Sequence, residues 1–163
     1  MGQRSQDLGV RPALSSDREF LFEVRRAALR AYVEQTTGWD EAEQRATADK
    51  EFAELPFAVV ERDGRPVGYL CVLHDSEYDF IEEIALLPEA QGRGIGTHLL
   101  EDILRTAQRR GVPVRLSVFV TNPAQDLYAR LGFEVVGIEE PRMAMQWTPG
   151  DHRERLNADS PRR

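Results

Sequence analysis

Two stretches of this chain carry residues whose types and spacing could do chemistry. The first is Gln91-Gly92-Arg93-Gly94-Ile95-Gly96, which follows an apolar run from Phe80 to Leu87 and a turn at Pro88-Glu89-Ala90. Glycine at alternate positions removes the Cβ atoms that hold a ligand off the main chain, and it permits backbone angles that other residues reach only with strain. A helical pattern starts at Thr97-His98-Leu99-Leu100, so the loop amides join the unpaired donors and positive dipole end of a first helical turn. Such a site takes phosphate oxygens. The spacing fits neither common nucleotide motif: Gly96 comes one residue early for Gly-x-Gly-x-x-Gly, and the lysine of a nucleoside-triphosphate loop is absent nearby. The second stretch is Asn122-Pro123 followed by Tyr128, and between the two lie the proton-handling candidates. Glu82 and Glu83, adjacent on a strand, point to opposite faces, so at most one serves a site. Tyr128 sits in an apolar helical stripe, where a tyrosine packs its ring and keeps its hydroxyl for one hydrogen bond. His74 and His98 stand alone and do not make a zinc site.

The elements that must position these residues can be read in order. Residues 1–9 are polar and loose, and Val10 to Leu14 reads as a first strand. Ser16-Asp17-Arg18-Glu19 has capping-box spacing, with Ser16 accepting an early helix amide and Glu19 reaching back. Phe20, Leu21, Val24, Ala27, Ala28 and Ala31 then form one helical stripe. Asp40 caps a second helix that carries Ala42, Ala46 and Phe52 before Pro56 ends it. Phe57 to Glu61 and Pro66 to Leu73 are strands joined by the hairpin signal Asp63-Gly64. The helix after the glycine loop runs to Arg110 and closes at Gly111. Val112 to Val120 is a buried strand, and Asn122-Pro123 starts a brief helix ending at Gly132. Phe133 to Ile138 and Arg142 to Trp147 are two final strands, and the tail from Thr148 is polar and disordered. Strand and helix alternation with a late strand pair predicts one α/β domain, residues 10–148, with a mixed, largely antiparallel sheet and helices on both faces.

Composition narrows the function classes. A chain of 163 residues with 41% hydrophobic content has room for one real core. A net charge of −7 gives no field for nucleic acid or anionic membrane and accommodates a cationic small molecule more easily. Only Lys50 is lysine among the 21 basic residues, a bias of the source more than of chemistry. Cys71 is the sole cysteine, so an internal disulfide and a cysteine metal cluster are excluded. The sequence shows no cleavable hydrophobic leader and no run near the roughly 18 apolar residues of a membrane span, so a cytoplasmic location is expected.

Gln-x-x-Gly-x-Gly after a strand ending in Leu86-Leu87-Pro88 resembles the acetyl-coenzyme A loop of the GNAT superfamily of N-acetyltransferases. The segment from Asn122 to Phe133 resembles that superfamily's second cofactor element, Asn-x-x-Ala-x-x-Leu-Tyr-x-x-x-Gly-Phe, with one residue fewer between Asn122 and Ala124. With the strands beside them the motifs cover roughly Phe57 to Ile138. The resemblance implies transfer of an acetyl group from acetyl-coenzyme A to a primary amine, without a metal. It implies that the Ile84, Ala85 and Leu86 backbone pairs with the acetyl group and pantetheine arm. Gln91 and the amides of Gly92, Arg93, Gly94, Ile95, Gly96 and Thr97 would hold the pyrophosphate, and Asn122 would touch the pantetheine. Tyr128 takes the place of the residue that protonates the departing thiolate. Ile81-Glu82-Glu83-Ile84-Ala85-Leu86 is similar to polyamine acetyltransferases, which makes Glu82 the base; Glu83 and water stay open. The segment between the first two helices offers Tyr32 and Trp39 as walls, and Glu34 and Asp40 as anionic groups, for a cationic acceptor. The acceptor itself, a small amine or a peptide, is not legible. A homodimer is compatible with exposed strand edges. The alternative from another class is a non-catalytic acyl-coenzyme A binding module.

Overall fold

Apolar alternation from Phe57 onward, with a first strand before it, builds one seven-stranded sheet in the computed structural model, which describes residues 7–150. The outer parts of the expected loose N-terminus and tail, residues 1–6 and 151–163, lie outside the described residues. The strands are β1 (Leu8–Pro12), β2 (Phe57–Arg62), β3 (Arg65–His74), β4 (Asp79–Leu86), β5 (Val114–Phe119), β6 (Glu134–Glu139) and β7 (Arg142–Trp147). The helices are α1 (Arg18–Thr36), α2 (Glu41–Glu54), α3 (Ile95–Arg110) and α4 (Ala124–Arg130). The sheet order is β1-β2-β3-β4-β5-β7-β6, and every pair is antiparallel except β4 with β5. α1 and α2 cover one face, against Phe57, Val59, Tyr69, Cys71 and Ala85. α3 and α4 cover the other, against Ile81, Val114, Leu116, Val118, Met143 and Met145.

The single parallel pair creates the site. β4 and β5 are joined only over Asp79–Ile81 and Val114–Leu116. Beyond that point β4 stays with β3 through Leu86, while β5 stays with β7 through Phe119. The two strands therefore part like a fork and leave the facing backbone edges of Glu82–Leu86 and Ser117–Phe119 without ladder partners. The closed end is pinned by the fully buried Asp79, whose Oδ1 meets His74 Nδ1 at 2.8 Å and accepts from the Arg110 guanidinium at the end of α3. Its amide also donates to Pro113 O at 2.9 Å.

Several local expectations need correction. Asp17 takes the capping role expected of Ser16 and Glu19: its Oδ2 accepts the Leu14 amide at 2.7 Å, and Arg11 grips both carboxylate oxygens at 2.8 and 3.0 Å. That guanidinium holds the Asp17 pKa below its ordinary value against the opposing effect of burial. β1 starts at Leu8 because its ladder with β2 extends to Leu8 opposite Arg62. On α1 the buried face is Leu21, Phe22, Val24 and Arg25, while Ala27 is exposed. On α2 Ala42 and Ala46 are exposed and Ala48 is buried. The rest of the stripe holds, with Phe20, Ala28 and Phe52 packed on the same core as Leu21 and Val24, and the charged Arg25 is turned inward between the two helices.

The alternation of β4 also breaks. Cys71 is paired with Glu83 but Val72 with Ile81, so Glu82 is an extra, unpaired residue, a β-bulge. Ile81 consequently packs under α3, while Glu83 and Ala85 face α1. An unbroken strand would have placed Ile81 and Glu83 on one face.

Candidate active site

The fork opens into a cleft of about 660 Å³ bounded by β4, the glycine loop, the start of α3, α4 and the C-terminal half of α1. Ile84, Ala85, Leu86, Gln91, Gly92, Gly94, Gly96, Thr97, Asn122, Tyr128 and Tyr32 all line it. Eleven residues from four separate stretches of sequence thus meet around one cavity.

At the outer end, Gly92 and Gly94 have φ of +70° and +81°, a region in which side chains are strained, and they turn the chain into α3. Gly96 is different. It lies in the first turn of α3 at ordinary angles, and a Cβ there would stand 3.9 Å from Leu127 Cδ2, so the protein itself has room for a side chain that would narrow the cleft. Among the described residues the six amides from Gly92 to Thr97 donate to no protein acceptor; the first α3 bond is His98 N to Gly94 O at 3.0 Å. A row of free amides at a helix start is what diphosphate oxygens require. The Gln91 side chain donates to Leu86 O at 3.0 Å, which ties the loop to the end of β4. The Arg93 and Ile95 side chains turn away from the main cleft. Both border a neighbouring cavity of about 410 Å³ with Arg62, His98, Gly94, Leu8 and Asp7, and Ile95 is largely buried beneath it. Two arginines without carboxylate partners among the described residues therefore flank the outer side of the loop.

At the inner end, Asn122 Oδ1 accepts the Ala124 amide at 2.9 Å and so starts α4, while its Nδ2 has no partner among the described residues and borders the cleft. The two roles considered for Asn122 are therefore compatible. Tyr128 is buried, with its ring edge-on to Phe133 at 5.7 Å between centroids, and burial pushes its phenol up to about 12. It is a protonated donor at neutral pH. Glu82, exposed on its bulge, shares a smaller cavity of about 60 Å³ with Tyr128, Asn122, Ser117, Phe119 and Arg142.

Glu83 borders that small cavity too, but its carboxylate is engaged on the other side of the sheet. Arg25 donates to its two oxygens at 2.5 and 3.3 Å and to Glu51 at 2.7 Å, and the Tyr69 hydroxyl donates to Glu83 as well. Burial raises the Glu83 pKa above its ordinary value, opposed by Arg25 and by the tyrosine hydrogen bond. Burial and the neighbouring Glu83 charge hold Tyr69 well above its own. Phe52, Phe57 and Tyr69 close this group off in edge-to-face contacts at 4.7, 5.5 and 6.2 Å, with the Arg25 guanidinium 4.8 Å over Phe52.

The acceptor-side expectation divides. Tyr32 reaches the cleft and stacks on Phe119 at 6.0 Å. Trp39 does not line it; its Nε1 donates to Glu41 at 2.8 Å in the turn between α1 and α2. Glu34 is held by Arg30 at 2.6 Å, and Asp40 accepts the Glu43 amide at 2.8 Å as the cap of α2. Sequence reasoning missed Leu29 and Arg142 at the inner cavity and the whole Arg25–Glu51–Tyr69 group. An arginine on an apolar helical stripe was the one available signal for the latter.

The comparisons with known proteins agree with this geometry. An N-acetyltransferase of Methanocaldococcus jannaschii, described as uncharacterized, is 39% identical over 87 residues, which are 48% of this chain but only 38% of that relative's length. The crystal structure of the PaiA N-acetyltransferase of Thermoplasma acidophilum in complex with coenzyme A has a TM-score of 0.69 at 18% identity, covering 87% of this chain and 99% of that one. The ribosomal-protein-S18-alanine N-acetyltransferase of Escherichia coli has a TM-score of 0.65 at 17% identity, covering 89% and 96%. The sequence profile of the Acetyltransferase (GNAT) family matches residues 19–133, which hold strands β2 to β5 and all four helices but for the first residue of α1, and this chain belongs to that family.

Proposed function

We propose that the chain is an N-acetyltransferase that transfers the acetyl group of acetyl-coenzyme A to a primary amine by direct attack in a ternary complex. The observation that carries the reading is the fork: unpaired backbone along Ile84–Leu86, free amides at its outer end, and Tyr128 and Glu82 at its inner end. The thioester supplies an activated acetyl carbon. The unpaired β4 edge holds an extended pantetheine arm as an added strand would be held, and the Gly92 to Thr97 amides receive the diphosphate. Arg62 and Arg93 place positive charge beside that end.

Attack by nitrogen forms the C–N bond and breaks the C–S bond; an ammonium acceptor gives up one proton before attack and a second once the C–N bond has formed, and the second passes through solvent to the departing thiolate. An alkyl ammonium near neutral pH first has to be deprotonated; Glu82, exposed in the inner cavity, takes that proton directly or through water. Backbone N–H groups near Leu86 face the thioester carbonyl and favour its developing negative charge. Tyr128 acts on the sulfur. A phenol at about 12 is a weaker acid than a free thiol near 8.5, so complete transfer to the thiolate is uphill by about 5 kcal/mol. Its role is therefore to donate a hydrogen bond that stabilises charge on the departing sulfur.

Acetyl-coenzyme A should raise the melting temperature, as a ligand selective for the folded state does. Gly96→Leu should abolish that shift while leaving the apo protein folded. Release of free thiol on adding an amine panel should then separate a transferase from a binding-only module. No thermal shift with acetyl-coenzyme A, or a shift without thiol release for any amine, would reject the transfer reading.

A further inference from the structure

The half of the sheet formed by β5, β7 and β6 has one bare face. Val114, Leu116, Val118, Met143 and Met145 pack under α3 and α4, so the alternate residues Ser117, Phe119, Arg142 and Ala144 face the other way. The register sets Ser117 opposite Ala144 and Phe119 opposite Arg142. On that face α1 reaches Phe119 through Tyr32. What remains is an open trough of about 520 Å³ whose lining includes Ser117, Gly137, Glu139, Arg142 and Ala144. Ser117 and Arg142 also line the small inner cavity with Glu82 and Tyr128, so the trough and the inner end of the fork adjoin at these two residues.

Arg142 stands at this junction, exposed on the sheet face. Its guanidinium lies 4.2 Å over the Phe119 ring, and Nη1 donates to Ser117 O at 3.2 Å. Among the described residues it pairs with no carboxylate, although Glu139 is its partner across the β6–β7 ladder. One donor is used and the rest of the planar fork is available, the geometry that recognises a carboxylate through two parallel bonds. The inner cavity, about 60 Å³, is the smaller of the two spaces that meet at Arg142. It admits an amino group and its neighbouring atoms, and the trough past Arg142 has room for the remainder of a small acceptor. The acids available to a cationic tail in the α1–α2 segment, Glu34 and Asp40, are already engaged.

We infer that the acceptor is a small amine that also carries a carboxylate, an amino-acid-like molecule whose nitrogen faces Glu82 and whose carboxylate is held by Arg142. The inference rests on the transfer reading above and names the substrate class for that site. Arg142 is then the specificity-determining residue, and it disfavours an acceptor that presents a cation where the carboxylate would lie.

The test compares free amino acids with their methyl esters and with the corresponding decarboxylated amines. The wild type should prefer the acids in kcat/KM by tenfold or more. Arg142→Ala should erase most of that preference, through a KM for the acids raised about tenfold to a hundredfold, the scale of lost hydrogen bonds to a charged group. Arg142→Lys should fall between, because it keeps the charge but loses the fork. A purely structural role for Arg142 over Phe119 would instead raise KM for acids and esters alike, and that result overturns the inference. So does a wild type that uses esters or polyamines as well as acids. If thiol release fails for every amine, the transfer reading fails. Calorimetric binding of amino acids to the coenzyme A-loaded protein then decides the inference separately: tighter binding of acid than ester, lost in Arg142→Ala, supports it, and no difference or no binding overturns it.

Discussion

The sheet face under α1 and α2 and the fork between β4 and β5 meet at two neighbouring glutamates, and they treat charge in opposite ways. Glu83 faces a largely closed group in which Arg25, Tyr69 and Glu51 occupy its oxygens or share its counter-ion, beside Phe52 and Phe57; we call this the sealed side because its charges are satisfied within the protein. Glu82 stands on a bulge in an open cavity with Tyr128. A sealed, satisfied carboxylate stabilises the fold only while every partner is present. An exposed one is free to exchange a proton with a ligand. The bulge gives neighbouring residues of identical chemistry these two different surroundings.

The largest expected effect comes from opening the sealed side. Arg25→Met removes the guanidinium and leaves Glu83 buried without a counter-charge, which should destabilise the protein by about 3–5 kcal/mol. Chemical denaturation measures this. Adding Glu83→Gln to Arg25→Met should recover part of the loss, because removing both charges is far less damaging than removing one. A loss below about 1 kcal/mol for Arg25→Met would mean that the group is not a coupled unit.

Next in size is the exchange of roles between the two glutamates. Glu82→Gln should lower kcat by about a hundredfold near neutral pH, the usual worth of a positioned base, and change stability by no more than about 0.5 kcal/mol, as for a surface substitution. Glu83→Gln should do the reverse, with about 1.5–3 kcal/mol lost and kcat within a few-fold. The raised Glu83 pKa makes its carboxylate a stronger base than an ordinary glutamate. If Glu83→Gln proved the more damaging to kcat, the proton path would run through the sealed group. Tyr128→Phe keeps the ring on Phe133 and should lower kcat by a smaller factor, about tenfold to a hundredfold, with cofactor affinity unchanged.

These assignments show where reading the sequence succeeds and where it stops. Gln91 to Thr97 and Asn122 to Phe133 carry their information locally, in glycines, a cap and a proline, and the cleft forms where those motifs place it. The mixed sheet and the hairpin at Asp63-Gly64, with φ of +51° and +76°, are legible for the same reason. The bulge at Glu82 is not. It depends on pairing with β3, which no residue of β4 announces. Gly68 is a related case: a Cβ there would stand 2.3 Å from Ala85 O, so this glycine permits β3 and β4 to approach, yet in sequence it interrupts an apolar run without explanation. The inward turn of Arg25 was hidden because a hydropathy stripe treats every arginine as outward-facing. Arg142 was hidden because its site is a junction of two cavities formed by strands far apart in the chain.

The smallest expected effect concerns alkaline stability, and it sharpens the same contrast. Cys71 lies on the sealed side, where burial, reinforced by Glu82 and Glu83, pushes its thiol from an ordinary 9.0 up to about 12. Tyr128 lies at the fork, where burial pushes its phenol from 10.0 up to about 12. Both groups keep their protons longer in the folded chain than in the unfolded one. Their stabilising effect is therefore complete below the unfolded pKa and is lost as pH rises through the folded pKa. Between pH 8 and 10 only Cys71 contributes appreciably, at about 1.4 kcal/mol per unit once the unfolded thiol has ionised. Above pH 10 the tyrosines add to the slope. Urea unfolding at half-unit intervals should show Cys71→Ala flattening the curve from pH 9 to 10, whatever its effect on absolute stability. Tyr128→Phe should leave that interval unchanged and flatten only the region above 10. Parallel curves for wild type and Cys71→Ala would mean that hydroxide reaches the sealed face as readily as the fork, and the contrast between the two regions would fail at its simplest test.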